Sequence, residues 1–543
     1  MPVIVSLFLA RSRERLSVLA LAAAIALAAP GVATAQGDAA PDPGTVTPVA
    51  EGASHAPAAR TRRHSTRRRS TRRARAVKPA AARWTSPRGA DALGDDLGSM
   101  LRSRVRSGRW GVMIVSLTRG DTLFAYDPGA ELQPASNMKL FTTALALDQF
   151  GENHQFSTDV LRAGTVDANG TLHGDLIIRG GGDPALSGRF YDGGPSTCMN
   201  LLAQLVAGAG IKRVSGRLIA DASAFDAKRI PDGWQTRYLQ SGYAARVSAL
   251  SLNENLVWIV VTPGAGGRAT VTLDPATDLP FSASVKTVRG RGARIRAYTS
   301  STGTIEVSGW IGSRAGERRY ELVVEDPTAF TAGAFRRALE ARGIAVDGPT
   351  QFSTTPPNAV KVTSLASPPL ARLISVMNRE SINHYAELLF RDAARQASPD
   401  GIGSVENGNR LLQRFMTGKV GAAPGVVIAS DGSGLSVLDS ITPRSLVKLL
   451  AYAHRAPWGD AFHASLPVAG ESELLRQRMK YTPAQGNLHA KTGTTNRVIS
   501  LGGYVTARDG ELLAFAFIYN GTDRWNAKST IDQMGATLAS FSR

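Results

Sequence analysis

The stretch QPASNMKLFTTALAL, residues 133–147, leads through a short turn into an apolar run with helical spacing. Within it Ser136 stands three residues before Lys139, so both side chains lie on one face of the predicted helix. A serine at a helix start is usually only an N-cap. A neutral lysine beside it, however, can accept the hydroxyl proton, and the helix start presents N–H groups to developing negative charge. The pair indicates a nucleophilic serine with its own base.

A second motif, Ser381-Ile382-Asn383, lies in the segment 372–394, which has helical periodicity but is locally polar. Serine and asparagine side chains compete with helical hydrogen bonds and favour turns. Placed in a cleft, Ser381 could relay a proton to a leaving amine, and Asn383 could hydrogen-bond a substrate backbone. The alternative interpretation is a solvated helix start.

A third motif, Lys491-Thr492-Gly493, precedes Thr494 in a run that is typical of an edge strand. Because Gly493 has no side chain, a substrate backbone could approach and pair as an added strand. Lys491 would hold positive charge near the pocket, and Thr492 would offer a hydroxyl group to a carboxylate. The alternative is a surface lysine before a tight turn, since the tripeptide alone is common.

The two ends of the chain share one character, antiparallel strands with helices. Residues 110–126 predict a hairpin around Arg119-Gly120, residues 486–520 predict three strands, and residues 530–541 predict a helix. The middle, 164–363, contains many short strand-like runs separated by turn residues. These runs are Leu172–Arg179, Leu256–Thr262, Ala269–Leu273, Thr304–Ile311 and Arg319–Val324. The pattern predicts one or two β-rich modules inserted between the two ends.

The N-terminal region predicts export. Three arginines at 11, 13 and 15 precede an apolar stretch over 16–29, and Ala33-Thr34-Ala35 is typical of a cleavage site. We therefore expect residues 1–35 to be a removed signal peptide and the mature protein to lie in the periplasm. An uncleaved anchor is the alternative. Cys198 is the only cysteine of the chain, so no internal disulfide is expected.

Residues 36–83 are rich in Ala, Pro, Gly, Thr and Arg, and this composition predicts a disordered linker. Of the formal charge of +19, ten positive charges fall within residues 60–78, where no acidic residue occurs. One interpretation of this run is a solvated tail. The other is attachment to anionic envelope polymers or to a membrane surface. An exported protein seldom meets nucleic acid, so no nucleic-acid partner is expected.

The motif set and its spacing resemble the low-molecular-mass class C penicillin-binding proteins, a family of serine D-Ala-D-Ala carboxypeptidases and endopeptidases with a large insert. Ser381 follows Ser136 by 245 residues, and Lys491 follows Ser381 by 110. Class A β-lactamases have far less chain between the first two motifs. Further signatures agree: DLIIRGGGDP at 175–184, SALSLNEN at 248–255, DGSGLS at 431–436 and Thr442-Pro443. The resemblance covers the chain from about Trp84 to its end.

The resemblance implies an α+β protein of the β-lactamase/transpeptidase-like fold. A five-stranded antiparallel sheet and a helical lobe would form a catalytic domain split into residues 84–163 and 364–543, interrupted by β-rich domains at 164–363. The implied catalytic residues are Ser136, Lys139, Ser381, Asn383 and Lys491. Thr492, Gly493 and Thr494 would bind substrate, and the N–H groups of Ser136 and Thr494 would form the oxyanion hole. No metal and no cofactor are implied.

The implied substrates are peptidoglycan peptides, cut through an acyl-enzyme on Ser136 that β-lactam antibiotics also form. Two departures bear on peptide preference. Val437 and Asp439 stand where relatives often carry Arg and Asn, and Gln235-Thr236-Arg237-Tyr238 stands where some relatives place an acid. Two alternative functions are a catalytically weak wall-binding protein held by its Arg-rich tail and a β-lactamase.

Overall fold

The computed structural model describes residues 84–543. The predicted signal peptide, the predicted disordered linker and the arginine run at 60–78 lie outside the described residues. Between Trp84 and Arg543 no helix is both long and apolar enough to cross a membrane.

The described chain contains helices and strands along its whole length. The helices are α1 Ala90–Ser103, α2 Met138–Phe150, α3 Thr197–Gly208, α4 Pro327–Ala341, α5 Leu370–Glu380, α6 Asn383–Ala397, α7 Val405–Gly418, α8 Pro443–Arg455, α9 Gly459–Ala464 and α10 Arg524–Ser540. The strands are β1 Arg109–Ser116, β2 Thr122–Tyr126, β3 Ser157–Val166, β4 Thr171–Gly180, β5 Arg213–Val214, β6 Leu218–Asp221, β7 Leu256–Thr262, β8 Thr270–Asp274, β9 Phe281–Val288, β10 Ala293–Thr299, β11 Ile305–Gly312, β12 Arg318–Val323, β13 Ala345–Val346, β14 Thr350–Phe352, β15 Val360–Ala366, β16 Val427–Ile428, β17 Ser440–Ile441, β18 His489–Thr494, β19 Val498–Thr506 and β20 Leu512–Asn520.

The two ends of the described chain form one five-stranded sheet in the order β18-β19-β20-β1-β2. Every neighbouring pair of strands in it is antiparallel. The predicted hairpin over 110–126 and the three strands predicted over 486–520 are therefore confirmed. The predicted C-terminal helix is also present, and it begins at Arg524 rather than at Thr530.

The central strand β20 is buried on both faces, which explains its nearly continuous apolar sequence. Successive side chains of a strand point to opposite faces. Phe515 and Phe517 belong to the core that includes α1 and α10. Ala514 and Ala516 belong to the core on the other side, which includes α2 and α8. The small alanine side chains allow the helical lobe that carries the predicted nucleophile to pack close to the sheet.

The middle of the chain forms three sheets that share one hydrophobic core. The largest has the order β13-β5-β4-β3-β15 with β6 and β14 attached, and the two smaller sheets have the orders β12-β7-β8 and β10-β11-β9. The predicted strands are confirmed, but helices α3 and α4, which pack into the same core, were missed. The sequence carried a signal for α4, because Asp326-Pro327 is a helix-start signature and the Asp326 side chain accepts from the Ala329 N–H at 3.0 Å.

The predicted domain boundaries after residues 163 and 363 fall inside strands β3 and β15. Strand β3 begins at Ser157 and pairs antiparallel with β15, so that Ser157 lies opposite Ala366. The chain therefore enters and leaves the insert on two adjacent, hydrogen-bonded strands. Because a boundary inside a paired strand would divide one sheet, we propose that the insert comprises residues 157–366.

Candidate active site

Ser136 lies in a tight turn, Ala135–Asn137, that leads directly into α2. Ala135 before it has a φ of +47°, a left-handed conformation that is unfavourable for a residue with a side chain. Gly434 packs on this turn so closely that a Cβ atom there would lie 1.8 Å from the Ala135 carbonyl oxygen. A strained, tightly packed turn therefore holds the Ser136 hydroxyl group in place.

The Lys139 amine lies inside the protein with three oxygen atoms around it. Its Nζ donates to Ser136 Oγ at 3.1 Å, to Asn383 Oδ1 at 2.5 Å and to the Ser433 carbonyl at 2.8 Å. The Lys139 side chain is fully buried. The predicted pairing of Ser136 with Lys139 is thus present in the structure, and Asn383 of the second motif joins it.

The electrostatic surroundings prepare Lys139 to act as a base. Burial lowers the pKa of Lys139 to about 8, although the nearby carboxyl groups of Asp431, Glu387 and Asp439, when ionised, act in the opposite direction. Burial also raises the pKa of Glu387 to about 8 and the pKa of Asp439 well above its usual value. A pKa near 8 leaves on the order of one amine in ten neutral at pH 7. A proton acceptor is therefore available near neutral pH.

The loop 431–436 was noted in the sequence only as a family signature. In the structure it contacts Lys139 through the Ser433 carbonyl. Asp431 accepts four N–H groups: one Oδ atom takes those of Ser433 at 2.8 Å and Gly434 at 2.6 Å, and the other takes those of Ser436 at 2.7 Å and the Trp234 indole at 2.7 Å. The loop conformation in turn places the Ser433 carbonyl against the Lys139 amine. Asp431 is thus a positioning residue that the motif search missed.

Ser381 occupies the turn between α5 and α6 and is not at a solvated helix start. It adopts a left-handed conformation with φ of 62° and ψ of 41°. Its hydroxyl accepts a hydrogen bond from Lys491 Nζ at 3.0 Å. The second and third motifs, 110 residues apart in the chain, therefore meet side chain to side chain.

Lys491 is fully buried, so its surroundings bear on the positive charge that the sequence predicts for it. Burial and the neighbouring charge of Lys139 lower the pKa of Lys491 well below its ordinary value. Its Nζ also donates to the Thr492 carbonyl at 3.0 Å. The site thus disfavours a charge on Lys491, and a substrate carboxylate placed beside it would favour that charge.

Strand β18 is one of the two edge strands of the five-stranded sheet, as the third motif predicts. Thr492 is nearly buried and Thr494 is exposed at its end. Gly493, however, serves packing: a Cβ atom there would lie 2.2 Å from Ser500 Oγ and 2.7 Å from the Pro134 carbonyl oxygen. The missing side chain of Gly493 therefore makes room for the turn that carries Ser136, and its expected role of admitting a substrate backbone stays a prediction.

The insert reaches into the site. Asn383 Nδ2 donates to the carbonyl of Tyr243 at 2.8 Å. Trp234 and Tyr238 of the insert pack with Leu388 and Leu435 of the helical lobe in one apolar cluster. The insert therefore forms one wall of the cleft.

A pocket of about 270 Å³ lies beside the Ser136 turn. Its lining includes Ala135 and the two departures from the family pattern at 235–238 and at Val437. Its charged lining residues are Arg237 and Arg497, and neither takes part in a salt bridge within residues 84–543. The lining of this pocket thus carries two positive charges and no negative charge.

Asp439, the other departure, does not line the pocket. It is buried, and its carboxylate accepts from the backbone N–H groups of Ser430 at 2.7 Å and Asp431 at 3.2 Å. Its departure from the family pattern was expected to bear on peptide preference, whereas the hydrogen bonds of Asp439 make it a support of the loop 431–436. Within the described chain, no three His, Cys, Asp or Glu side chains are placed to hold a metal ion.

A helical lobe on a five-stranded antiparallel sheet, with a serine and a lysine paired where the lobe meets the sheet, defines the class of β-lactamase/transpeptidase-like serine enzymes. Residues 96–541 match the model of the D-Ala-D-Ala carboxypeptidase 3 (S13) family. The chain belongs to this family.

Individual relatives agree with that membership. The chain is 32% identical to the D-alanyl-D-alanine carboxypeptidase of Actinomadura sp. (strain R39), over 85% of this chain and 88% of that protein. It is 25% identical to the D-alanyl-D-alanine carboxypeptidase DacB of Haemophilus influenzae, over 80% and 89%. The crystal structure of penicillin-binding protein 4 from H. influenzae superposes with a TM-score of 0.69 at 23% identity, covering 82% of this chain and 98% of that one. The resemblance found in the sequence is confirmed, and so is the fold.

The rate of Ser136 acylation should rise with pH. Because the pKa of Lys139 is about 8, the amine is protonated and unable to accept a proton below that pH and is neutral above it. Well below pH 8 we expect about a tenfold rise per pH unit, followed by a plateau. Acylation by a fluorescent penicillin measures the rate, and a profile flat from about pH 6 to about pH 9 would contradict the assignment.

Gly493→Ala should slow acylation by roughly tenfold or more, because its Cβ would displace the turn that carries Ser136. The matched control is Gly208→Ala, at a position where a Cβ atom meets nothing within 4 Å. We expect the control to react at the wild-type rate in the same penicillin assay. Equal rates for both variants would show that the Ser136 turn does not depend on this contact.

Proposed function

We propose that this protein is a serine-type D-alanyl-D-alanine carboxypeptidase of peptidoglycan, acting through an acyl-enzyme on Ser136. The observation that carries the proposal is the buried Lys139 amine 3.1 Å from the Ser136 hydroxyl group. Family membership supports the substrate class, D-Ala-D-Ala peptides.

In the first half of the reaction, neutral Lys139 takes the Ser136 proton while Oγ attacks the carbonyl carbon of the penultimate D-alanine. The peptide C–N bond then breaks, and the terminal D-alanine leaves as an amine after receiving a proton. Ser381, hydrogen-bonded to Lys491, is the proposed relay for that proton. Water attacks the ester in the second half and releases the shortened peptide.

The substrate backbone is proposed to pair with the outer edge of β18 beyond Ala490, whose own N–H donates to the Pro467 carbonyl at 3.0 Å. Edge strands present unpaired backbone groups to which an extended peptide can add. The N–H groups of Ser136 and Thr494 are the proposed oxyanion hole, and Thr492 and Lys491 the proposed contacts for the terminal carboxylate. Asn383 would form a hydrogen bond with the peptide backbone, and it also orients the Lys139 amine.

The pocket beside the Ser136 turn is proposed to receive an anionic part of the stem peptide. Arg237 and Arg497 line it without a carboxylate among the lining residues. The Arg237 guanidinium lies 5.0 Å from the centre of the Tyr238 ring and donates to the Tyr238 hydroxyl at 3.2 Å, which limits its freedom. Guanidinium groups bind carboxylates in a bidentate geometry, so a free side-chain carboxylate is the expected group.

Four finer points belong to the same proposal. The enzyme would also cut D-alanyl cross-links as an endopeptidase, and β-lactams would acylate Ser136. It would work in the periplasm after removal of residues 1–35, and the arginines at 60–78 would attach it to anionic envelope polymers or a membrane surface. The pattern of basic, apolar and small residues in the sequence supports export.

Purified muropeptides incubated with the wild-type protein should lose terminal D-alanine, whereas Ser136→Ala should reduce the rate by about 10³-fold or more. Mass spectrometry of the products also shows whether cross-linked dimers are cleaved. If neither protein alters the muropeptides, the wall-binding alternative is favoured. Fast, repeated hydrolysis of a chromogenic cephalosporin would instead favour the β-lactamase alternative.

Arg237→Gln should raise KM about tenfold for a stem peptide with a free side-chain carboxylate and leave kcat nearly unchanged. For the same peptide with that carboxylate amidated, wild type and variant should have equal KM values, because the lost interaction is absent in both. Steady-state release of D-alanine measures the four values. An equal rise in KM for both peptides would contradict recognition of the anionic group.

A further inference from the structure

The small sheet β10-β11-β9 of the insert has one buried and one exposed face. Strands β10 and β11 are antiparallel, and β11 and β9 are parallel. The buried face contributes six apolar side chains to the core of the insert, namely Val285, Ile295, Ala297, Ile305, Val307 and Ile311. The opposite face is exposed to solvent, and it does not line the pocket beside Ser136.

Strand register arranges the exposed side chains in rows that cross the sheet. The first row consists of residues directly opposite one another on successive strands: Arg268, Lys286, Trp310 and Arg294. The second row consists of Ser284, Ser308 and Arg296. Side chains opposite one another on neighbouring strands are about 5 Å apart. The first row therefore places three cations and an indole ring side by side along one line.

Further cations lie at the end of the sheet where the first row crosses it. Arg289 and Arg291 belong to the turn that joins β9 to β10, and the Arg314 N–H donates to the Gly290 carbonyl of that turn at 2.9 Å. Together with the rows, the group comprises Arg268, Lys286, Arg289, Arg291, Arg294, Arg296 and Arg314, which we call the cationic face. None of these seven forms a salt bridge with any residue in the part of the chain that the structure describes.

The acidic groups near the cationic face are already engaged. Glu306, on the same exposed side, accepts from the Tyr298 hydroxyl at 2.6 Å. Asp274 and Glu317 both pair with Arg319 of the neighbouring strand β12. A hydrogen bond from a neutral hydroxyl does not remove the formal charge of Glu306, but one carboxylate beside seven cations leaves the face with a net positive charge within residues 84–543.

The cationic face contains a shallow hollow beside Trp310. Arg294, Arg296, Ser308, Gly309 and Trp310 line a shallow hollow of about 230 Å³. Trp310 is 38% exposed although it is a large apolar residue, and its ring lies against Gly292, where a Cβ atom would be 3.3 Å from it. A partly supported indole beside two guanidinium groups offers a rigid apolar surface next to anion-binding forks.

We infer that the cationic face binds an anionic polysaccharide, a chain of sugar rings bearing carboxylate or phosphate groups. The line of cations suits a linear polymer with repeated negative charges, and Trp310 suits a ring packed between those charges. The choice of a wall polysaccharide over nucleic acid rests on the proposed function, because an enzyme that trims wall peptides works among such polymers.

The test measures binding of polygalacturonate, a linear carboxylated polysaccharide, to the full chain carrying a neutral linker in place of residues 60–78. This chain, the background protein, lacks the arginine run at 60–78, so that run cannot contribute to the binding measured. Arg294→Gln combined with Arg296→Gln should weaken binding at least tenfold. The matched control, Arg102→Gln with Arg106→Gln, removes the same charge from exposed positions elsewhere and should bind as the background protein does.

Trp310→Ala separates a polysaccharide site from simple attraction of charge. It should weaken binding of polygalacturonate several-fold and leave binding of inorganic polyphosphate, which has no ring, unchanged. Equal binding by both arginine pairs would overturn the inference. So would tighter binding of single-stranded DNA or of phosphatidylglycerol vesicles than of polygalacturonate to the background protein.

Release of D-alanine from a soluble peptide is measured on the same preparations. The double variant of the cationic face should release D-alanine at the rate of the background protein, since the face does not line the candidate active site. Loss of polysaccharide binding with intact release supports the inference. If the wild-type protein binds polygalacturonate but releases no D-alanine, the proposed function is contradicted while the polysaccharide site is still supported.

Discussion

The burial of one amine is the constraint on which this site depends. Lys139 Nζ is removed from water and surrounded by Ser136 Oγ, Asn383 Oδ1 and the Ser433 carbonyl. A charged ammonium group in such a place is costly, and the cost appears as a pKa lowered to about 8. The same interaction that makes the lysine a base therefore requires three distant chain segments to pack without a gap.

The surrounding structure can be understood as support for that arrangement. Gly434 and Gly493 have no side chains where the chain passes closest to the Ser136 turn. Asp431 gathers four N–H groups and so determines the loop that presents the Ser433 carbonyl. The alanines of β20 bring the helical lobe onto the sheet. Each of these features restricts the local backbone and so helps to fix the distance between the Ser136 hydroxyl and the Lys139 amine.

The insert contributes to the same site and has a surface of its own. It supplies the Tyr243 carbonyl to Asn383 and, through Trp234, an N–H group to Asp431. Its sheet β10-β11-β9 carries a net positive charge on the side that faces solvent. One inserted segment thus closes the catalytic cleft at one place and exposes a cationic face at another, which fits an enzyme that acts on small peptides attached to a large polymer.

The sequence by itself determined the elements and the reacting groups. Local spacing was enough to predict the hairpin at 110–126, the strands of 486–520 and the partnership of Ser136 with Lys139, because strand alternation and helix periodicity act over a few residues. It missed α3 and α4 and placed the insert boundaries inside β3 and β15, whose pairing joins residues about 200 apart. Only the tertiary structure decided that Ser381 meets Lys491, that Gly493 makes room for the Ser136 turn, that Asp439 is buried and that Arg237 and Arg497 share a pocket. These are contacts between segments far apart in the chain, and their distances follow from packing, which no local pattern records.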